Sequence, residues 1–294
     1  MLVSPPSLSY SAGMTFTLDR FDLDRFVADT LAEDLGDHGD ITSAAVIPEE
    51  ARFAGVMRSR EAIVVAGLPL AEAFFRALDP EAAIERLAED GGRAAPGDIL
   101  LRVEGRARAL LTAERSALNI LQHLSGIATL TRRYVDAIAG TGAILLDTRK
   151  TIPGLRALAK YATRMGGARN HRMRLDDAAM IKDNHVAVAG GVAEAVRRAA
   201  AAGIDRIIVE VDRLDQIEPA LRAGATHLLL DNMGPAALRE AVAMVGGRVP
   251  TEASGGIGLD TIRDAALSGV TYISVGRITQ SAPAVDIGLD FSVT

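Results

Sequence analysis

A chain of 294 residues with 49% apolar and 24% charged side chains can bury a core for one large domain or two moderate ones. Its net charge of -6 argues against general nucleic-acid binding, and the lack of cysteine removes disulfides, thiolate nucleophiles and cysteine-zinc sites. No run of about 18 apolar residues is free of charge, and the first fifteen residues hold no basic stretch followed by an apolar one, so a cytoplasmic location is expected.

In chain order, residues 1–17 read as a disordered N-terminal extension. Leu18–Leu35 is predicted as an amphipathic helix, with Phe21, Phe26, Val27, Leu31 and Leu35 on one side and Gly36 as its stop. Gly36–Asp40 is a turn-rich loop. Arg52–Ala66 reads as strand, Leu70–Leu78 as a short helix, and Ala83–Leu87 and Ile99–Val103 as strands separated by glycine and proline turns. Thr112 is placed to cap a helix Ala113–Ser125, and a second helix, Thr129–Ala139, ends at Gly140. Together these give an N-terminal α+β domain over 18–126.

Beyond Gly142, short apolar runs alternate with helical stretches. The predicted strands are Ala143–Leu146, Ala178–Ile181, Arg206–Val209, His227–Leu230, Val249–Ala253 and Thr271–Val275. Such alternation means parallel strands joined by crossover helices. Six units fit either an incomplete α/β barrel or an open doubly wound sheet, and the barrel is favoured by the residues at the strands' carboxyl ends: Thr148-Arg149-Lys150, Lys182, Glu210, Asp231, Ser254-Gly255-Gly256 and Gly276-Arg277. In a barrel all these groups converge on one mouth.

Charge is concentrated there. The three lysines, Lys150, Lys160 and Lys182, lie in one stretch, Asp147 to His185, with nine Lys/Arg against four Asp. That stretch carries +5 within a chain of net -6, the pattern of either an anion site or a solvated basic helix. Arg149, Lys150, Arg172 and Lys182 suit carboxylates or phosphates. Glu210 and Asp231 suit Mg²⁺ completed by water and substrate oxygens, or else ordinary capping and ion pairing. Ser254-Gly255-Gly256 and Gly276 can offer backbone N–H groups to a phosphate, though tight turns use the same residues. No set of histidines has metal-ligand spacing. Lys182 or Lys150 at a strand end also fits a Schiff-base aldolase of sugar phosphates, and a non-catalytic phosphometabolite sensor is a further alternative.

The segments Glu33-Asp34-Leu35-Gly36 through Thr42, Thr112-Ala113-Glu114-Arg115 through Asn119, Leu124-Ser125-Gly126 through Thr129, Asp147-Thr148-Arg149-Lys150-Thr151 with Pro153-Gly154-Leu155-Arg156, Asn170-His171-Arg172 and Ile181-Lys182-Asp183-Asn184-His185 run in order along the chain. So do Glu210-Val211-Asp212, Leu230-Asp231-Asn232, Glu252 through Ile257 and Ser274-Val275-Gly276. Together they resemble the quinolinate phosphoribosyltransferase family, also called nicotinate-nucleotide pyrophosphorylase (carboxylating), over about Leu18 to Phe291.

The resemblance implies an irregular TIM-like barrel of fewer than eight strands over 127–277, and an N-terminal α/β sandwich-like domain completed by about 278–294. It implies phosphoribosyl transfer from 5-phosphoribosyl 1-diphosphate to quinolinate with loss of CO₂ and pyrophosphate, in NAD biosynthesis, with Mg²⁺ as cofactor. A sister transferase for another heterocyclic acid is the near alternative. Carried over by position, Thr148, Arg149, Lys150, His171, Arg172 and Lys182 line the quinolinate pocket, and Arg115 reaches in from the partner of a homodimer. Glu210 and Asp231 serve the ribose and the Mg²⁺-diphosphate, with Lys150, Lys182, Glu210 and Asp231 as the catalytic group. Ser254, Gly255, Gly256, Val275, Gly276 and Arg277 surround the 5-phosphate. Arg277 and Gln280 replace the family's usual Ala and His, and Ala168 replaces a glycine, which affects the expected phosphate contacts.

Overall fold

A computed structural model describes residues 18–291; the expected N-terminal extension, 1–17, lies outside them. The chain divides into two compact units. The first takes residues up to 129, 157–166 and the C-terminal segment from 282, and the second takes 130–156 and 167–281.

In the first unit, α1 (Leu23–Leu35) begins where the Asp22 carboxylate accepts the Arg25 N–H at 3.0 Å. The acid cap, not the first apolar residue, sets this boundary, five residues later than the hydrophobic pattern implies. A short helix, α2 (Ile41–Val46), follows on an Asp40 cap. The single predicted strand over Arg52–Ala66 is two, β1 (Arg52–Ser59) and β2 (Ile63–Val64). A turn separates them, in which the Ser59 hydroxyl donates to the Glu61 carbonyl at 2.6 Å. Then come α3 (Leu68–Leu78), β3 (Ala83–Arg86), β4 (Arg93–Ala94) and β5 (Ile99–Arg106). The C-terminal strand Ile287–Phe291, β1, β5 and β3 form one antiparallel sheet in that order. Phe74, Phe75, Leu70, Leu100, Leu101 and Leu110 are fully buried in this unit.

One 31-residue helix, α4 (Ala107–Ala137), replaces the two predicted helices. Thr112 is inside it and caps nothing: its hydroxyl bonds the Arg108 carbonyl at 2.7 Å and the Asp40 carboxylate at 3.0 Å. The polar residues that suggested a break instead anchor the segment around β2. The Ala66 N–H donates to Ser125 Oγ at 3.0 Å and the Val64 N–H to Thr129 Oγ1 at 2.8 Å. Gly126 lets the helix pass the chain at Pro283, whose carbonyl oxygen would lie 2.1 Å from an added Cβ. Helix α5 (Arg156–Met165) is a second departure, because residues 157–166 pack with the first unit instead of the barrel. Leu158, Ala159, Lys160 and Ala162 are buried there, and the Tyr161 hydroxyl donates to Asp90 at 2.5 Å.

The second unit holds β6 (Ile144–Leu146), β7 (Ala179–Ile181), β8 (Ile207–Val211), β9 (His227–Asp231), β10 (Thr251–Ser254) and β11 (Tyr272–Ser274). All six predicted strands are present, each within two residues of its expected ends. They pair in parallel in the order β6-β11-β10-β9-β8-β7. The crossovers are α6 (Asp183–Ala189), α7 (Val192–Ala201), α8 (Ile217–Ala223), α9 (Pro235–Val245) and α10 (Ile262–Ala266), with α11 (Arg277–Gln280) after the last strand. Ile208, Val209, Leu228, Leu230 and Ile273 are fully buried, as expected where helices cover a parallel sheet.

The ladder is an incomplete barrel, open between β6 and β7. A parallel bridge from Leu146 to Arg169 extends it by one chain segment beyond β6. Across the remaining seam the Arg172 guanidinium donates to the Ala178 carbonyl, just before β7, at 3.1 Å. A side chain thus ties the place where the backbone ladder is open. No helix among the described residues is long and apolar enough to cross a membrane.

Candidate active site

The strands of the second unit end at a cavity of about 730 Å³. Every candidate residue on this unit lines it: Thr148, Arg149 and Lys150 after β6, His171 and Arg172 from the segment beside it, and Lys182 after β7. Glu210 and Asp231 reach in from β8 and β9, Ser254, Gly255 and Gly256 from the end of β10, and Val275, Gly276 and Arg277 after β11. Arg115 does not line it: this residue is exposed on α4, in the first unit. Lys160, the third lysine of the basic stretch, is buried in α5 of the first unit, so only Lys150 and Lys182 serve the cavity. Ala168 is buried and absent from the cavity wall, whereas Gln280 lines it beside Arg277.

One side of the cavity is a pair of guanidinium groups. Burial, then the neighbouring Arg149, lowers the Arg172 pKa from its ordinary value, with Asp177 working the other way. Arg149 Nε is buried and has no hydrogen-bond partner. Two like charges close together, one with an unused donor, are costly unless an anion arrives to receive them.

The other side mixes acids and lysines. Lys182 Nζ donates to Glu210 Oε2 at 2.8 Å, with Glu210 only 13% exposed. Burial raises the Asp231 pKa, Glu210 raises it further, and Lys182 and Lys150 oppose both. Two carboxylates of this kind, close enough to repel and flanked by two lysines, make a region that accepts both cations and phosphates.

The turns beside them are built for close approach. Gly255 has φ of +92°, and an added Cβ would stand 2.2 Å from Asn232 Oδ1. Asn232 itself adopts a left-handed φ of 55° and donates from Nδ2 to Asp231 Oδ2 at 2.6 Å. At Gly276 an added Cβ would come within 2.8 Å of Lys150 Cδ, so glycine there leaves the lysine its place. The Thr279 hydroxyl holds the Lys150 carbonyl at 2.8 Å and the Lys150 N–H donates to Thr148 Oγ1 at 3.0 Å.

Sequence reasoning passed over the residues beneath the cations. Asp147 is fully buried and accepts the His171 N–H at 2.8 Å and the Asn170 side-chain amide at 2.6 Å. Glu252, also fully buried, lies 3.2 Å from His171 Nε2 and 3.1 Å from His227 Nε2. Burial works to raise the Glu252 pKa, but the hydrogen bond with His171 and the nearby His227 and Ser274 outweigh it and bring it down to about 2. An acid inside the predicted strand Val249–Ala253 was the available clue, since such acids are almost never fully buried without partners.

The chain's likeness to known proteins agrees with this geometry. Its residues 40–125 match the family described as quinolinate phosphoribosyl transferase, N-terminal domain, and residues 127–290 match the corresponding C-terminal domain. Nicotinate-nucleotide pyrophosphorylase [carboxylating] of Mycobacterium leprae is 45% identical over 269 residues, covering 88% of this chain and 94% of that protein. A quinolinate phosphoribosyltransferase [decarboxylating] of Nicotiana tabacum is 39% identical, covering 92% of this chain and 82% of its own length. The crystal structure of nicotinate-nucleotide pyrophosphorylase from Ehrlichia chaffeensis superposes with a TM-score of 0.89 at 37% identity, covering 93% of this chain and all of that one. With two family domains matched end to end and a cation-lined cavity at the strand ends, the chain belongs to the quinolinate phosphoribosyltransferase family.

Proposed function

We propose that this chain transfers the phosphoribosyl group of 5-phosphoribosyl 1-diphosphate to quinolinate, with release of CO₂ and pyrophosphate, giving nicotinate mononucleotide for NAD biosynthesis. The observation that carries the site assignment is the Arg149–Arg172 pair, close enough for the Arg149 charge to lower the Arg172 pKa and holding an unused buried donor. A dianionic acid with adjacent carboxylates supplies the missing acceptors, and guanidinium forks suit carboxylates. His171 lies beside the pair, while Lys150 and Lys182 extend the positive field toward the donor's phosphates. Ser254, Gly255, Gly256, Val275, Gly276 and Arg277 take the 5-phosphate end.

The chemistry asks little covalent work of the protein. The pyridine nitrogen attacks the anomeric carbon as diphosphate departs, and Glu210 favours the positive character that develops on the ribose. Alkylation leaves a pyridinium ring whose positive nitrogen stabilises the electron pair left on the adjacent carbon as its carboxylate departs as CO₂, and that carbon then takes up a proton from solvent. Positioning and electrostatics therefore account for the catalysis. Glu210 and Asp231 are the acids available to Mg²⁺, and among the described residues no group of three or more His, Asp or Glu could hold a metal. That set fits an ion brought in on the donor's diphosphate and touched by one or two carboxylates, the habit of Mg²⁺. When bound, the ion offsets the charge of the leaving group.

In the same reading the enzyme is a cytoplasmic homodimer in which Arg115 of one subunit completes the partner's pocket. The exposure of Arg115 on α4, in the unit that does not hold the cavity, supports this. A Schiff-base aldolase would use Lys182 or Lys150 as its amine, and of the two Lys182 is engaged with Glu210.

The test is to supply purified protein with quinolinate, the ribosyl diphosphate and Mg²⁺ and measure CO₂. Nicotinate, lacking the second carboxylate, leaves cations unpaired, a cost of about 3–5 kcal/mol. Its turnover should be lower by a factor of hundreds, and comparable turnover would overturn the pocket assignment.

A further inference from the structure

We propose that Glu252 is a positioning residue for the quinolinate pocket: it fixes the ring of His171 and so holds Arg172 beside Arg149. The proposal rests on reading the cavity as that pocket. Glu252 lies in the middle of β10, wholly buried, between two rings. His171 Nε2 is 3.2 Å from its Oε2, and His227 Nε2, from β9, is 3.1 Å from the same atom. His227 in turn packs against Tyr272 of β11, with ring centroids 5.6 Å apart and planes tilted by 30°, so the second ring is backed by the sheet.

Hydrogen bonding determines which proton His171 carries. Its Nδ1 accepts the Arg172 backbone N–H at 2.7 Å and therefore bears no proton. Nε2 must then be the protonated nitrogen, donating to Glu252. Both ring nitrogens are thus committed to the protein, and neither is left to bind a ligand. The neighbouring backbone is fixed by the second buried acid, Asp147, which takes the His171 N–H and the Asn170 side chain. Residues 170–172 are clamped from two strands, and Arg172 leaves that clamp to reach Ala178 across the open seam. Removing Glu252 frees the ring, and the guanidinium it orients loses its register with Arg149.

The consequence is selective. A loosened Arg172 weakens the carboxylate side of the site and leaves the phosphate side intact, whereas a merely structural acid lowers the amount of folded enzyme without changing either KM. Steady-state kinetics of Glu252→Ala and Glu252→Gln, varied in each substrate, separate the two. In Glu252→Ala the quinolinate KM should rise roughly tenfold or more, with the KM for the ribosyl diphosphate within about twofold of wild type. Glu252→Gln keeps an acceptor for the His171 Nε2–H and should recover most of the loss. An unchanged quinolinate KM in folded Glu252→Ala, or an equal rise in both KM values, overturns the proposal.

If both variants fail to fold, ¹⁵N NMR of histidine-labelled wild-type enzyme still decides. His171 should show a protonated Nε2 and an unprotonated Nδ1; the opposite tautomer overturns the proposal. Wild-type enzyme that releases no CO₂ from quinolinate would instead indict the reading of the cavity.

Discussion

Asp231 and Glu252 are two acids on adjacent strands, shifted in opposite directions, and the difference is what each touches. Asp231 faces another carboxylate in a partly buried place, so its charged form is disfavoured in the fold. A raised carboxyl pKa makes folding less favourable as pH rises from the ordinary 3.8 through the raised value. Asp231→Asn should therefore melt at or above the wild-type temperature at pH 7 while activity falls at least about 100-fold. A variant that melts early with normal specific activity would make Asp231 structural. Glu252 is the reverse case: its depressed pKa contributes stability above the ordinary 4.5, and that contribution is lost as pH falls toward 2. Urea unfolding should show Glu252→Gln less stable than wild type at pH 7, with the gap narrowing between pH 4.5 and 3. A constant gap would mean that the carboxylate charge contributes nothing.

At the scale of elements, α4 shows how a tertiary contact overrides local propensity. Gly126 in the middle of a helix costs about 1 kcal/mol relative to alanine, and that penalty suggested a helix end. The position is closed to a Cβ because the Pro283 carbonyl of the C-terminal segment would lie 2.1 Å away, and backbone cannot step aside as a flexible side chain would. Gly126→Ala should therefore destabilise by about 1–2 kcal/mol despite the better helix former. Chemical denaturation measures it, and a stabilised variant would show that the approach is soft. The parallel strands behave differently. Most are short apolar runs that only a buried sheet accommodates, and each ends beside the polar residues that build the cavity.

At the scale of the whole molecule, the proposed homodimer makes a prediction that no single chain can satisfy. Arg115→Ala and Lys182→Ala should each be nearly inactive and folded. Mixed dimers of the two would carry both lesions in one site and neither in the other. With random pairing, half the dimers are mixed, each with one intact site of two, so activity should return to about a quarter of wild type. Verified mixed dimers with no recovered activity would place both residues in one subunit's site or remove Arg115 from it.

Strand number, order of the cavity-lining groups and the basic character of the site were legible in the sequence, because apolar period, turn residues and charge are local properties. Thr148, Arg149, Lys150, Lys182, Glu210 and Asp231 announced themselves by their places at the ends of apolar strands. Helix limits were less legible: Thr112, Ser125 and Gly126 carry local preferences that bonds to Asp40 and Ala66 and the approach of Pro283 overrule. Nor could the sequence show that Lys182 is paired with Glu210, that Arg149 is left with an unused donor, or that Arg172 ties the open seam of the barrel. Least visible of all was the His171–Glu252–His227 cluster. Its members stand 25 to 81 residues apart in the chain, and only the lateral order of the strands sets one carboxylate between two rings. The chain order fixes which residues end each strand, whereas charge state and orientation depend on distances that exist only once the sheet has formed.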